Sequence, residues 1–416
     1  MRQPKSFLAA ATLDAFGGSV AYRVWLGALT LGVAVGAAGY AYQLDGGLYV
    51  TNMTDQVSWG IYIASFTFQV GMADALVMVV VPAYFYGMAS FERIVFAGEA
   101  LALSAVITSL MYVTVDLGRP ERAWHLVPFW GSLNFPGSIL GWDVVVLAGY
   151  FVINSVLVWM AMRSRFHGRA PYKRVYVPLI VLSVGWAISM HAVTAFLYSW
   201  LGARPFWNSA IVPARFLASS FVSGPTFLAL ALRVIHHRGG MAVDDQVFTT
   251  LRRIVTVTLL VNLFLFAAEV FTELYGGSLH SASLRYLLFG HHDHIGMRAY
   301  IWTALGLEAF ATLILLSPLA KRDRAFDVAC ATAFLGVWLE KGMALVVPGF
   351  IPTPLGEFVE YVPSLVEWVV SFGIWCFGLL VFSILVRLGI RVEQGALRAP
   401  LGPEAPAASR VTEEEA

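Results

Sequence analysis

The chain has 416 residues, 58% hydrophobic and 13% charged, where a soluble domain carries roughly 25% charged residues. With a mean hydropathy of +0.72 and a net charge of +1, this composition excludes an ordinary soluble enzyme and gives no basic excess for nucleic acid, so no nucleic-acid partner is expected. It describes an integral membrane protein whose chemistry must lie within or between its helices.

Crossing the hydrocarbon takes about 20 apolar residues, and the sequence is expected to do so ten times. The spans fall at 20–43, 57–86, 93–115, 139–162, 174–199, 211–235, 251–276, 298–320, 325–346 and 364–389. The fold class is therefore all-α, with residues 1–19 as a short cytoplasmic lead, 20–390 as the membrane domain, and 391–416, rich in Pro, Ala and Glu, as a disordered cytoplasmic tail. An internal echo links the halves: Arg93-Ile94-Val95 opens the third span and Arg253-Ile254-Val255 the seventh, with Trp142 and Trp302 following at the same separation. The matched segments lie four spans apart, which preserves orientation. Two parallel four-helix bundles, 57–199 and 211–346, with 20–43 and 364–389 peripheral, would explain it; chance matching of short strings is the competing explanation.

Lys and Arg set the orientation. Nineteen lie on the side shared by the termini, among them Arg163, Arg165, Arg252, Arg253, Lys321, Arg322 and Arg324, and six on the other: Arg119, Arg122, Arg204, Arg215, Arg285 and Arg298. Both termini are thus expected in the cytoplasm. The first span reads as an uncleaved anchor.

Two cysteines, Cys330 and Cys376, are too few for an iron–sulfur cluster, which needs four ligands. Of nine His, only His191 sits well inside a span, so a haem with paired imidazoles is not expected. The run HHDH at 291–294 has ligand types but no spacing that converges on one ion, and is read as an exposed loop with no metal. Gly32 and Gly36 are spaced for close helix packing.

The ionisable residues within spans crowd toward the non-terminal side, where charge in lipid is costly and usually functional. DLGRPERAWH at 116–125 leaves the third span, and GWD at 141–143 opens the fourth after a Gly/Pro-rich turn, so His125 and Asp143 are expected to approach each other. An imidazole suits proton exchange near neutral pH, and a carboxylate can orient it. Alternatively His125 is an interfacial residue bonded to backbone, and Asp143 caps the fourth span. Trp142 and Trp124 suit either the pocket or an aromatic belt, and Arg119 either buttresses the pocket or belongs to a solvated charge run. Glu269, Glu340 and His191 fall in the outer third, with Glu367 opening the tenth span at the same level. Lys341, adjacent to Glu340, faces another direction on a helix and is expected to reach another span. Asp74 and Glu308 lie near mid-depth and Glu99 in the inner third, so a proton relay along them, with Thr67, Ser104, Thr108 and Tyr112 between, is one reading; single acids satisfied by local hydroxyls is the other.

Four strings, DLGRPERAWH, GSILGWDVVVL at 137–147, PARFLASSFVSGP at 213–225 and EKGMALVVPGFIPTPLGEFVEYVPS at 340–364, make the chain resemble the NrfD / polysulfide reductase membrane-subunit family over about residues 20–390. The resemblance is to its ten-span branch of HybB-, DsrP- and alternative complex III-like subunits. It implies a membrane subunit of a quinone-dependent oxidoreductase complex of anaerobic respiration in the bacterial cytoplasmic membrane. Menaquinone or ubiquinone would be the substrate, with no haem or iron–sulfur cluster in this chain. The implied partners are a periplasmic ferredoxin-like iron–sulfur subunit and further catalytic or cytochrome subunits. Carried onto this sequence, the quinone-site role falls on His125 and Asp143, with Trp142, Arg119, Glu340, Lys341 and Glu367 around them, and Asp74, Glu99, Glu269 and Glu308 become proton-path candidates, with proton translocation open. A secondary transporter built from two repeats and a passive membrane anchor are the competing functions.

Overall fold

The computed structural model describes residues 7–127, 130–238, 240–277 and 280–399. Among them ten helices are long and apolar enough to cross a membrane: Val20–Val50, Ile61–Phe85, Val95–Asp116, Ile139–Phe166, Lys173–Ser199, Ile211–His237, Asp245–Gly276, Gly296–Leu316, Asp323–Phe350 and Leu365–Glu393, numbered spans 1 to 10. They coincide with the ten apolar stretches, and no β-strand forms among the described residues. An even number of spans puts the two chain ends on one side, here called the terminal end; the other is the far end.

Packing follows the distribution of polar side chains. Span 2 is buried on every face from Ile61 to Ala73, its Ser65, Thr67 and Gln69 included, as expected of a helix enclosed by others. Spans 3 and 6 pack on it, and span 9 meets it at Trp338–Met343. Spans 2, 3, 4 and 5 contact one another in succession, spans 6, 7, 8 and 9 likewise, and spans 5 and 6 join the two sets. Spans 1 and 10 pair with each other and reach the rest mainly through span 3, with span 10 also touching spans 2 and 4. Their crossing is made by glycines: a Cβ at Gly36 would collide with the Gly373 backbone, and one at Gly32 with Cys376 Sγ, the close approach that small residues allow where no hydrophobic force drives helices together.

Several spans begin where capping side chains take up free amides. Ser138 accepts from Gly141 N and starts span 4, so Asp143 lies inside the helix and is not its cap. Asp244 caps span 7, and Ser364 caps span 10 in a reciprocal box with Glu367. Beyond span 10, Ala399 N still donates to Phe166 O at 2.9 Å; the rest of the expected tail lies outside the described residues. The lead contains a helix, Phe7–Ala15, which packs Phe7 on Trp159 and Phe166.

Two spans are irregular. Span 2 is interrupted at Asp74, resumes at Ala75–Val80 and widens into a π turn at Val81–Phe85, which contains Pro82. Tyr150 Oη donates to the Ala73 carbonyl at the break, 3.0 Å away. Span 9 changes from α to a π turn at Trp338–Met343 and ends in a 3-10 turn at Val347–Phe350. Single π turns inside helices recur at functional sites, and the one in span 9 brings the consecutive residues Glu340 and Lys341 into the interior.

Candidate functional site: a buried ionic cluster across six spans

The π turn of span 9 turns Glu340 and Lys341 inward to different neighbours. Glu340 pairs with Arg215 of span 6, whose other guanidinium nitrogen pairs with Glu269 of span 7. Asn262, also of span 7, stands 3.5 Å from both Glu340 Oε2 and Glu308 Oε2 of span 8, which links a third acid to the group. Lys341 Nζ lies 3.0 Å from His191 Nε2 of span 5 and donates to Phe216 O at 3.1 Å. The other ring nitrogen of His191 is 3.3 Å from Asp74 Oδ2 at the break in span 2, without hydrogen-bond geometry. Gly71 makes room for the ammonium: a Cβ there would lie 2.8 Å from Lys341 Nζ. Arg215 also rests over the Phe266 ring and Lys341 over that of Phe216.

At about 1.5 Å per residue, Arg215, Glu269, His191 and Glu340 lie roughly 6 to 15 Å below the far end, and Asp74 and Glu308 about 20 Å below it. All are buried. Four acids therefore face two cations and one imidazole in a desolvated interior, where an unpaired charge costs several kcal/mol. Neutrality there calls for protons held within the group. Among the described residues Arg215 Nε and His191 Nδ1 have no hydrogen-bond partner. A cavity of about 10 Å³ beside Arg215, lined also by Ser219, Glu340 and Lys341, is about the size needed for one water.

The remaining sequence-derived candidates are placed separately. Asp143 is buried and accepts from Thr194 of span 5 at 2.6 Å. His125 is exposed in a 3-10 turn, stacked on Trp124 with ring centres 3.8 Å apart. Among the described residues no hydrogen bond or ion pair joins His125 to Asp143: the first is exposed at the 120–126 turn, the second buried against Thr194. Trp142 donates from Nε1 to Pro136 O at 2.9 Å and leaves part of its ring exposed. Arg119 forms an exposed pair with Glu121 at 3.7 Å, which is the solvated charge run. Glu367 is buried with its oxygens already committed to Tyr361 Oη, Asn52 N and Ser364 N. Glu99 accepts from Tyr176 Oη at 2.8 Å near the terminal end, apart from the six-span cluster. His291 stacks on Phe358 at the exposed 291–294 turn.

Sequence reasoning misses the centre of this arrangement. Arg215, counted with the far-end loops, is a buried cation holding two acids, and its position four residues inside the stretch 211–235 is the available signal. His191 stands out in the sequence as an intramembrane imidazole in the outer third, but nothing in the sequence joins it to Lys341 and Asp74. Asn262, a lone amide in an apolar run, carries a signal of the same kind.

A family model described as polysulphide reductase, NrfD, matches residues 49–352. The chain is 24% identical to a subunit of the selenate reductase of Mesobacillus selenatarsenatis, over 88% of this chain and 93% of that one. It is 25% identical to a putative dimethyl sulfoxide reductase membrane subunit of Halobacterium salinarum, over 94% of each. It is also 22% identical to the Hdr-like menaquinol oxidoreductase integral membrane subunit of Archaeoglobus fulgidus, over 88% of this chain and 93% of that one. The ten-span helical fold and the match over most of its length place this chain in the NrfD polysulphide reductase family.

Proposed function

We propose that the chain is the quinone- or quinol-binding membrane subunit of a respiratory oxidoreductase complex, held in the bacterial cytoplasmic membrane with both termini in the cytoplasm. It exchanges electrons with a periplasmic iron–sulfur partner docked on the far end and handles the protons that accompany them. The observation that carries this reading is the buried ionic cluster, a protonatable path that runs from just below the far end to mid-depth across six spans.

The residues near the far end fit a quinone headgroup in kind. Asp143 offers a buried carboxylate steadied by Thr194, Trp142 a flat partly open ring whose Nε1 is already occupied, and His125 an accessible imidazole. A quinone supplies two-electron, two-proton redox chemistry when bound. Asp143 would hold or release one proton and His125 the other, the roles a carboxylate and an imidazole take in general acid–base catalysis. Thr194 fixes the carboxylate so that it is presented in one orientation. Deeper in the bundle Arg215 holds Glu269 and Glu340, and Lys341 meets His191, whose other nitrogen faces Asp74; displacement of a proton on any of the acids changes the charge balance felt by the others. Glu367 is assigned to anchoring the far-end loop and not to the pocket, since its oxygens are taken.

In purified complex, Asp143→Asn and His125→Ala are expected to lower quinone-linked turnover by at least about tenfold, in the range that general acid–base groups contribute. Activity of the catalytic partner with an artificial electron donor should be unchanged. Full quinone-linked turnover in both variants would remove the pocket. The broken span 2 and the π turn of span 9 favour one other reading, a secondary transporter with discontinuous helices at mid-membrane; solute uptake by this chain alone in vesicles would select it.

A further inference from the structure

We propose that the turn between spans 8 and 9 binds the phosphate of an anionic glycerophospholipid. Lys321, Arg322 and Arg324 are exposed there around an open concavity of about 600 Å³, which Leu319 and Ala325 also line. The only acid in the lining, Asp323, is drawn away to Arg233 at 3.0 Å, and Arg233 also takes Asp327 at 3.2 Å. Among the described residues the three cations have no ion-pair partner. The turn itself is held: Arg252 of span 7 donates to Ala320 O at 3.0 Å, and Arg322 N to Leu319 O at 2.8 Å. Its cations are therefore presented by a fixed backbone and not by a loose loop.

The surface next to the concavity distinguishes a lipid from free phosphate. Phe310, Leu313 and Leu316 lie three residues apart on span 8, all strongly exposed, and Leu319 continues the row to the concavity. Residues at that spacing share one face of a helix, so an apolar track runs up the membrane-facing side of span 8 and ends at three unpaired cations at headgroup level. A diacyl lipid with an anionic phosphate matches both parts, its chains along the track and its phosphate among Lys321, Arg322 and Arg324. A zwitterionic headgroup carries its own cation into the same space and matches less well. Basic clusters beside membrane-spanning helices bind anionic headgroups with an increment of about fivefold per cation.

The test is titration of the purified full-length chain with phosphatidylglycerol, followed by native mass spectrometry. Replacing all three, Lys321→Gln, Arg322→Gln and Arg324→Gln, should weaken phosphatidylglycerol binding about a hundredfold. A control on the same end, Arg163→Gln, Arg169→Gln and Lys173→Gln, should leave it within about twofold, and phosphatidylcholine should bind wild type and triple variant alike. If the triple variant does not insert, Arg322→Gln alone should give the roughly fivefold loss. Equal loss in the control, no loss in the triple variant, or displacement of the lipid by equimolar inorganic phosphate would each overturn the proposal.

Discussion

Arg215 is the residue on which the interior depends most, because it is the shared partner of Glu269 and Glu340. Breaking a buried pair leaves an uncompensated charge and costs about 3–5 kcal/mol, so Arg215→Met should lower the thermal midpoint of the purified protein by several degrees. Adding Glu269→Gln to that variant should recover part of the loss, since it removes one orphaned acid; differential scanning of the single and double variants measures this, and additive losses would mean that the pair is not coupled. Glu367 has a different task. It closes the capping box of span 10 and receives Tyr361 and Asn52, so Glu367→Ala should cost about 1 kcal/mol or more in stability. Turnover per folded molecule should stay near wild type when activity is normalised to protein that elutes as a single peak.

Among the elements, the ten spans are legible because long apolar runs declare themselves, and the glycine pair at 32 and 36 carries its usual signal. What is not legible is where span 2 breaks and span 9 widens. Both changes depend on neighbours: Tyr150 satisfies the carbonyl freed at Ala73, and Gly71 vacates the space that Lys341 enters. A helix-wheel reading correctly separates Lys341 from Glu340, yet it cannot say which spans receive them. The different surroundings of His125 and Asp143 are not legible either, since the first is exposed in the 120–126 turn and the second is buried against Thr194 of another span. Gly71→Val is the corresponding test. It should push the Lys341 ammonium off His191 and lower stability by about 1–3 kcal/mol, the usual range for overpacking, measured by thermal unfolding; an unchanged midpoint would show that span 2 shifts freely.

For the molecule as a whole, composition defines the class, four short strings point to the family, and the match over residues 49–352 establishes it. The candidate site is half legible: Glu269, Glu308, Glu340, Lys341 and Asp74 stand out as expensive charges, but the cation, imidazole and amide that join them, Arg215, His191 and Asn262, lie on three different spans with no common sequence pattern. Connection across helices is a property of packing and is invisible along one chain. The central claim is that this bundle binds a quinone headgroup beside Asp143. It is tested most directly by equilibrium titration of the purified complex with a fluorescent quinol analogue. The account predicts saturable binding of one analogue per chain, competed by menaquinone and weakened at least about tenfold by Asp143→Asn, a loss of about 1.4 kcal/mol; absence of saturable binding, or binding untouched by that substitution, would contradict it.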